Sequence, residues 1–177
     1  MAQIKKKKKF FDVEMPLINK QTQMQAYELS ELDGRFLKYD LTRLLKGKSM
    51  MLTSKIKVEG NEAIATPMKL VLMPYFLRRM IRKGTNYVED SFSVECQDAN
   101  IKIKPFLITR RKVSRAVRAA LRTKAKEELI NYVKDRTAEE LFDEVLKNQI
   151  QKPLSLKLKK IYPLALCEIR ILEAKSK

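Results

Sequence analysis

Arg111, Arg115, Arg118, Arg122 and Lys126 recur at steps of three and four, the spacing that gathers side chains on one side of a helix. Arg110 and Lys112 extend this ladder at its start, and no acid interrupts it between Arg110 and Lys126. A solvated charged helix face is usually stabilised by acids interleaved with the cations. Without them, a ladder of guanidinium forks suits the oxygens of a phosphate backbone, which arginine grips in pairs. The competing reading is a face that is basic only by composition, but the one-sided pattern favours nucleic acid. Three further basic groups point the same way: Lys5, Lys6, Lys7, Lys8 and Lys9; Arg78, Arg79, Arg82 and Lys83; and Lys157, Lys159 and Lys160.

Aromatic side chains able to stack on unpaired bases are sparse. Phe10, Phe11, Tyr75, Phe76 and Tyr87 are the candidates, with core packing expected of most. Stacking matters most at Phe10 and Phe11, beside the lysine run. Chemistry of other kinds lacks its groups. The sequence contains no histidine, which removes the commonest general base, the usual zinc ligand and any imidazole-dependent triad. There is no P-loop, Rossmann glycine pattern or Cys-x-x-Cys pair, and the four glycines do not cluster. Glu139, Glu140, Asp143 and Glu144 follow Thr137 at the start of an expected helix, where the dipole favours anions, so capping explains them better than metal binding. No enzyme activity, cofactor or metal is expected. A carboxylate- and lysine-based nuclease is the remaining catalytic alternative.

The chain has 177 residues, enough for one domain with a real core. Apolar residues make up 45%, and the net charge is +17. So much like charge calls for a polyanion partner. A membrane is the weakest candidate, because the longest charge-free apolar run, Leu70 to Leu77, falls far short of the roughly 20 residues of a spanning helix. The lysine run passes straight into Phe10-Phe11-Asp12 without the apolar stretch of a secretory signal. Cys96 and Cys167 are isolated, which fits a reducing compartment and small core side chains. A cytoplasmic protein is expected.

The elements that must position the cations can be read from periodicity. Residues 1–16 are expected to form a basic arm, and 17–177 a single α+β domain. Alternation predicts strands over Arg35 to Leu41, Met50 to Val58 and Ala63 to Leu70, with Gly60-Asn61 as a tight turn. A second hairpin runs from Val88 to Glu95, turns at Asp98-Ala99-Asn100, and continues through Ile101, Ile103 and Leu107. One wet and one buried face mark the strands as antiparallel. Between the hairpins, Met73 to Lys83 suits a short helix. Ser114 is a plausible N-cap for a long helix reaching about Lys134. Val113, Ala116, Val117 and Ala120 would then face a core. Farther along, Leu129 and Val133 rotate onto the basic side, which calls for a bend or a second packing partner. Thr137-Ala138-Glu139-Glu140 is a capping box opening a helix with Leu141, Phe142, Val145 and Leu146 inward. Pro153 separates this from a basic segment, Ser155 to Ile161, and Leu166 to Leu172 closes the chain as a strand.

In this order the segments resemble the archaeal and eukaryotic small-subunit ribosomal protein family S-three-a-e, also called e-S-one, over nearly the whole chain. The lysine run with Phe10-Phe11-Asp12-Val13-Glu14-Met15-Pro16 is similar to the family's basic arm and aromatic opening. Gly34-Arg35, Asp40-Leu41-Thr42, Ile108-Thr109-Arg110-Arg111 and Val117-Arg118 resemble successive family motifs. Ile161-Tyr162-Pro163-Leu164 with Glu168-Ile169-Arg170 resembles its closing motif. Met73-Pro74-Tyr75 replaces the family's Gly-x-x-Leu-Thr-Arg-Asp stretch, and Asp98-Ala99-Asn100 its Asp-Gly turn, as in a divergent archaeal member. The resemblance implies an antiparallel, barrel-like sheet with flanking, mainly C-terminal helices. It also implies a structural protein of the small-subunit platform near the mRNA exit side. The implied partners are small-subunit rRNA and neighbouring platform proteins, with mRNA a further candidate and no homo-oligomer. A free, translation-associated RNA-binding module is the alternative.

Overall fold

The structure is a computed structural model that describes residues 7–60 and 62–176. Its frame is one long antiparallel hairpin and one long antiparallel strand pair in a nine-stranded sheet. The first joins β4 (Met50–Glu59) to β5 (Glu62–Leu72), and the second pairs β8 (Ala99–Thr109) with β9 (Leu164–Ser176). Strands this long carry a risk: one proline removes a ladder donor, and one slipped residue turns every later side chain to the wrong face. Both prolines sit at register shifts. Ser54 opposes Pro67 while Thr53 opposes Lys69, so Met68 is an extra residue on β5. Burial accordingly changes phase from Ala63, Ala65 and Pro67 to Leu70 and Leu72. On β8, Lys104 opposes Ile171 and Pro105 opposes Ile169, so Arg170 is the extra residue on β9.

The remaining strands attach to these two pairs. β1 (Lys9–Met15) and β2 (Lys20–Ala26) form a hairpin around a 3-10 turn at Pro16–Ile18. β3 (Phe36–Asp40) pairs with β4, while β6 (Tyr87–Glu89) and β7 (Phe92–Glu95) both pair with β8. β5 uses its second edge twice, meeting β1 in parallel at Ala63 and Ile64, and β9 at Lys69 to Val71. The β4–β5 hairpin is therefore shared by two cores. A small one gathers Val13, Met15, Ala26, Leu32, Leu37, Ile56, Ala63 and Ala65. The larger holds the rest of the sheet against the helices, with Ile101, Ile103, Phe106, Leu121, Leu141 and Phe142 among its buried members.

Four helices complete the chain: α1 (Pro74–Met80), α2 (Arg115–Val133), α3 (Ala138–Leu146) and α4 (Gln151–Lys159). The α+β class and the C-terminal concentration of helices follow the sequence reading. The sheet, however, does not close into a barrel. Its path runs from β2 through β1, β5, β9 and β8 to β6, and the β1–β5 pair is parallel. Residues 9–15 of the expected arm belong to this sheet as β1, because Val13 and Met15 bury fully on the small core. The turn before β8 comes earlier than expected, at Gln97-Asp98, closed by the Cys96 N–H donating to the Ala99 carbonyl at 2.9 Å. Pro153 does not separate elements but lies in the first turn of α4, where its missing N–H leaves no intrahelical bond unmade.

Caps fall where the sequence places them. The Ser114 hydroxyl accepts the Val117 N–H, and Thr137 with Glu140 forms the reciprocal capping box. The face of α2 differs from the expectation. Ala116 and Ala120 are exposed, and Val113 and Val117 only partly covered, while Leu121, Ala125, Leu129 and Val133 are buried. Steps of three and four carry that buried stripe back to Arg118, so the arginine ladder and the leucines share one side of the helix. Of the expected bend or second packing partner, the structure shows the second: α2 is a single helix whose one side packs on the sheet's β6–β7 margin and on α4.

A polar clasp sets where α2 begins. Thr109, fully buried at the end of β8, accepts the Asn86 N–H through its hydroxyl at 3.0 Å. That hydroxyl also lies 2.7 Å from the Arg111 carbonyl and 3.0 Å from the Asn86 carbonyl, and donates to one at a time. The Asn86 side-chain oxygen takes the Val113 N–H at 2.8 Å. The loop after α1 and the entry to α2 are thereby held together.

Two tests follow from this packing. Leu121→Ala should cost about 2–5 kcal/mol in a urea melt, whereas Ala120→Gln should stay within about 0.5 kcal/mol. Equal losses would show that Leu121 and Ala120 contribute alike and that the buried stripe does not anchor the helix. Thr109→Val keeps the shape but orphans the Asn86 N–H, and should lower stability by about 1–3 kcal/mol. An unchanged midpoint would show the clasp contributes nothing.

Candidate nucleic-acid interface

A groove lies between the first half of α2 and β6. Tyr87, Val88, Arg115, Arg118, Ala119 and Arg122 line this groove of about 370 Å³. Arg122 also borders an adjoining hollow of about 400 Å³ formed with Glu89, Asp90, Ser91, Lys104, Pro105 and Arg170. Arg170 is the residue expelled by the β9 bulge, and it donates to Glu89 at 2.8 Å. Bulges commonly re-aim a side chain in this way beside functional sites.

Arg118 is only partly accessible, and its Nε is shielded from solvent without an acceptor among the described residues. Tyr87 is 53% exposed. Its ring stacks on buried Phe106 with centroids 5.8 Å apart and planes inclined by 21°. Lys126 sits on the same side of α2, its Nζ 5.8 Å from the Phe92 ring centroid. Among the described residues, no ion pair engages Arg110, Arg111, Arg115, Arg118 or Arg122.

The other predicted cations divide between this margin and elsewhere. Arg78 and Arg79 are exposed in the last turn of α1, with Arg79 over the Phe76 ring at 5.5 Å. Arg82 and Lys83 follow in an exposed turn at Gly84. The clasp through Asn86 joins that turn to exposed Arg110, Arg111 and Lys112. The Arg110 N–H also reaches the Pro163 carbonyl at 3.4 Å, bringing together two of the segments that carried the family resemblance. Lys159 and Lys160 are exposed at the end of α4. Lys157 is engaged within the protein, donating to Glu128 at 2.5 Å. That bond, with help from Lys124, holds the Glu128 carboxyl below its ordinary range.

Lys7, Lys8, Lys9 and Phe10 are exposed where β1 begins, three strands away from β6 along the sheet. Lys5 and Lys6 lie outside the described residues. Of the aromatic candidates, Phe10, Tyr75 and Tyr87 are exposed and Phe76 is buried. Asn86, Lys104 and Arg170 were missed as parts of this margin. Only Arg170 had a signal, as the last residue of the family's closing motif.

The acids of α3 serve the fold. Glu140 caps Thr137, Asp143 pairs with Lys147 at 2.6 Å, and buried Glu144 pairs with Arg136. No group of three metal-ligating side chains forms among the described residues. Burial pushes the Cys167 thiol up to about 12, so it is not a poised nucleophile. Among the described residues, no helix is long and apolar enough to cross a membrane.

A relative from Nanoarchaeum equitans, named small ribosomal subunit protein eS1, is 24% identical over 166 residues, covering 89% of this chain and 84% of the relative. The protein of that name from Methanothermobacter thermautotrophicus is 32% identical over 66% of this chain and 62% of its own length. That from Halorubrum lacusprofundi is 30% identical over 67% of this chain and 56% of its own length. The matches thus span less than two thirds of the last two relatives. The profile of the Ribosomal S3Ae family matches residues 3–176. The chain belongs to the Ribosomal S3Ae family, a family of structural ribosomal proteins and not of enzymes.

Proposed function

We infer that this protein is a structural constituent of the small ribosomal subunit that binds rRNA, by neutralising and positioning phosphates and without catalysing a reaction. The observation that carries the reading is the α2 margin. In a family member of net charge +17, Arg110, Arg111, Arg115, Arg118 and Arg122 have no ion-pair partner among the described residues. The clasp also adds the Arg82-Lys83 turn to them. Such a margin offers a polyanion several guanidinium forks on one rigid support.

The finer placement rests on the family resemblance: the platform near the mRNA exit side, in the cytoplasm, beside other platform proteins and within reach of mRNA. Lys5 to Lys9 would thread between RNA elements. Arg78, Arg79, Lys112, Lys126, Lys159 and Lys160 would supply peripheral phosphate contacts, and Phe10 a stacking surface beside the arm.

Each phosphate neutralised steepens the salt dependence of binding by about 0.7–0.9 in the log–log slope. Replacing Arg111, Arg115, Arg118 and Arg122 by glutamine should therefore flatten the slope on a short RNA hairpin by about three. A slope equal to the parent's would remove α2 from the interface. In sucrose gradients of native lysate the chain should travel with small subunits and stay with them through a high-salt wash. Recovery at the top of the gradient under both conditions would instead identify a free RNA-binding module.

A further inference from the structure

We propose that the groove between α2 and β6 is a pocket for a single unpaired nucleotide of RNA, with its base stacked on Tyr87 and its phosphate held by Arg115, Arg118 and Arg122. The proposal rests on the RNA-binding reading above and specifies what that surface takes.

Direction is the first argument. A helix that tracks a duplex backbone carries its cations on the side away from its own protein. Here the outward side of α2 in this half shows Ala116, Ala120 and Thr123, all exposed and uncharged. Arg118 continues the buried stripe, with Arg115 and Arg122 beside it, so the cations border a recess. A double-stranded backbone is too broad to enter that recess, whereas an extruded nucleotide brings its own phosphate and can enter alone.

The aromatic ring is the second argument. Phe106 covers one face of Tyr87 and fixes its plane, and the 53% exposure of Tyr87 leaves ring surface open beside the three arginines. Unpaired bases are commonly held on such platforms, next to cations that take the backbone. The groove's volume of about 370 Å³ lies within the roughly 300–1,000 Å³ of small-ligand sites.

The partly buried Arg118 is the third. Shielding Nε without an acceptor is unfavourable, yet it keeps the guanidinium in the groove instead of letting it extend into water. The adjoining hollow shares Arg122 and adds Lys104 and Ser91, so the strand leaving the pocket meets further phosphate donors. Glu89 is already engaged by Arg170 there, which reduces its repulsion of the backbone.

The test uses the full chain and two RNA duplexes that differ only by one bulged uridine, at one salt concentration. The parent should bind the bulged duplex about tenfold more tightly or better. Tyr87→Phe should keep that preference, and Tyr87→Leu should abolish it. With 5-iodouridine in the bulge, irradiation of the parent should crosslink the peptide containing Tyr87. This readout stands even if the leucine variant folds poorly. Equal affinity of the parent for both duplexes, with no crosslink at Tyr87, would overturn the pocket and leave the RNA-binding reading intact. Loss of the preference in Tyr87→Phe as well would overturn base stacking. Failure of the parent to bind either duplex would overturn both readings.

Discussion

Two prolines inside long strands impose the constraint on which the architecture depends. A ladder of ten or so residues cannot absorb a missing donor and hold its phase unless something gives. At Pro67 the extra residue is Met68, which lets β5 serve the small core with Ala63 and Ala65 and the large one with Leu70 and Leu72. At Pro105 it is Arg170, and the cation lands beside Glu89 at the edge of the α2 groove. The same device therefore divides the core in the β4–β5 hairpin and places Arg170 at the candidate margin in the β8–β9 pair. A regular ladder through Pro105 would have kept Arg170 in simple alternation with its neighbours.

Helix α2 joins two incompatible tasks on one side. Leu121, Ala125, Leu129 and Val133 withdraw apolar surface from water, at about 25 cal/mol per Å², and fix the rotation of the helix. That rotation obliges Arg118 to point inward as well. A guanidinium cannot pack like leucine, so the first half of the helix cannot close on β6 and a groove remains. The cavity beside Tyr87 is thus a consequence of placing arginine at a position whose phase is set by leucines further along.

Much of this was legible in the sequence because local rules governed it. Ser114 and Thr137 satisfy orphan N–H groups of their own helices, and β4 alternates cleanly. The β1–β2 hairpin was not legible: Lys20–Ala26 is rich in glutamine, and the strand is held by its neighbours more than by its composition. Pro153 suggested a break because proline excludes itself from helix interiors, while the first turn tolerates it. The inward turn of the arginines was hidden for a different reason. Spacing reports that side chains share a side of a helix, and which side meets the protein depends on packing farther along. Asn86 carried no signal, since a lone loop asparagine becomes a clasp only when Thr109 arrives beside it.

The distribution of ion pairs separates structural cations from available ones better than the count of basic residues does. In the second half of α2, Lys124 and Lys157 converge on Glu128, and Arg136 is committed to Glu144 and to the Tyr132 ring 4.4 Å away. The hollow there, lined by Glu128, Tyr132, Asp135, Arg136, Glu140 and Lys157, is largely self-compensated. In the first half no acid among the described residues approaches the ladder closely enough to pair. Exposed pairs are worth little to stability, so leaving these arginines unpaired costs the fold little. What it leaves is uncompensated repulsion among them, and an incoming phosphate relieves that repulsion where an acid of the chain's own would have forestalled binding. One helix thereby anchors itself at its C-terminal end and leaves its arginines without an ion-pair partner among the described residues at the other.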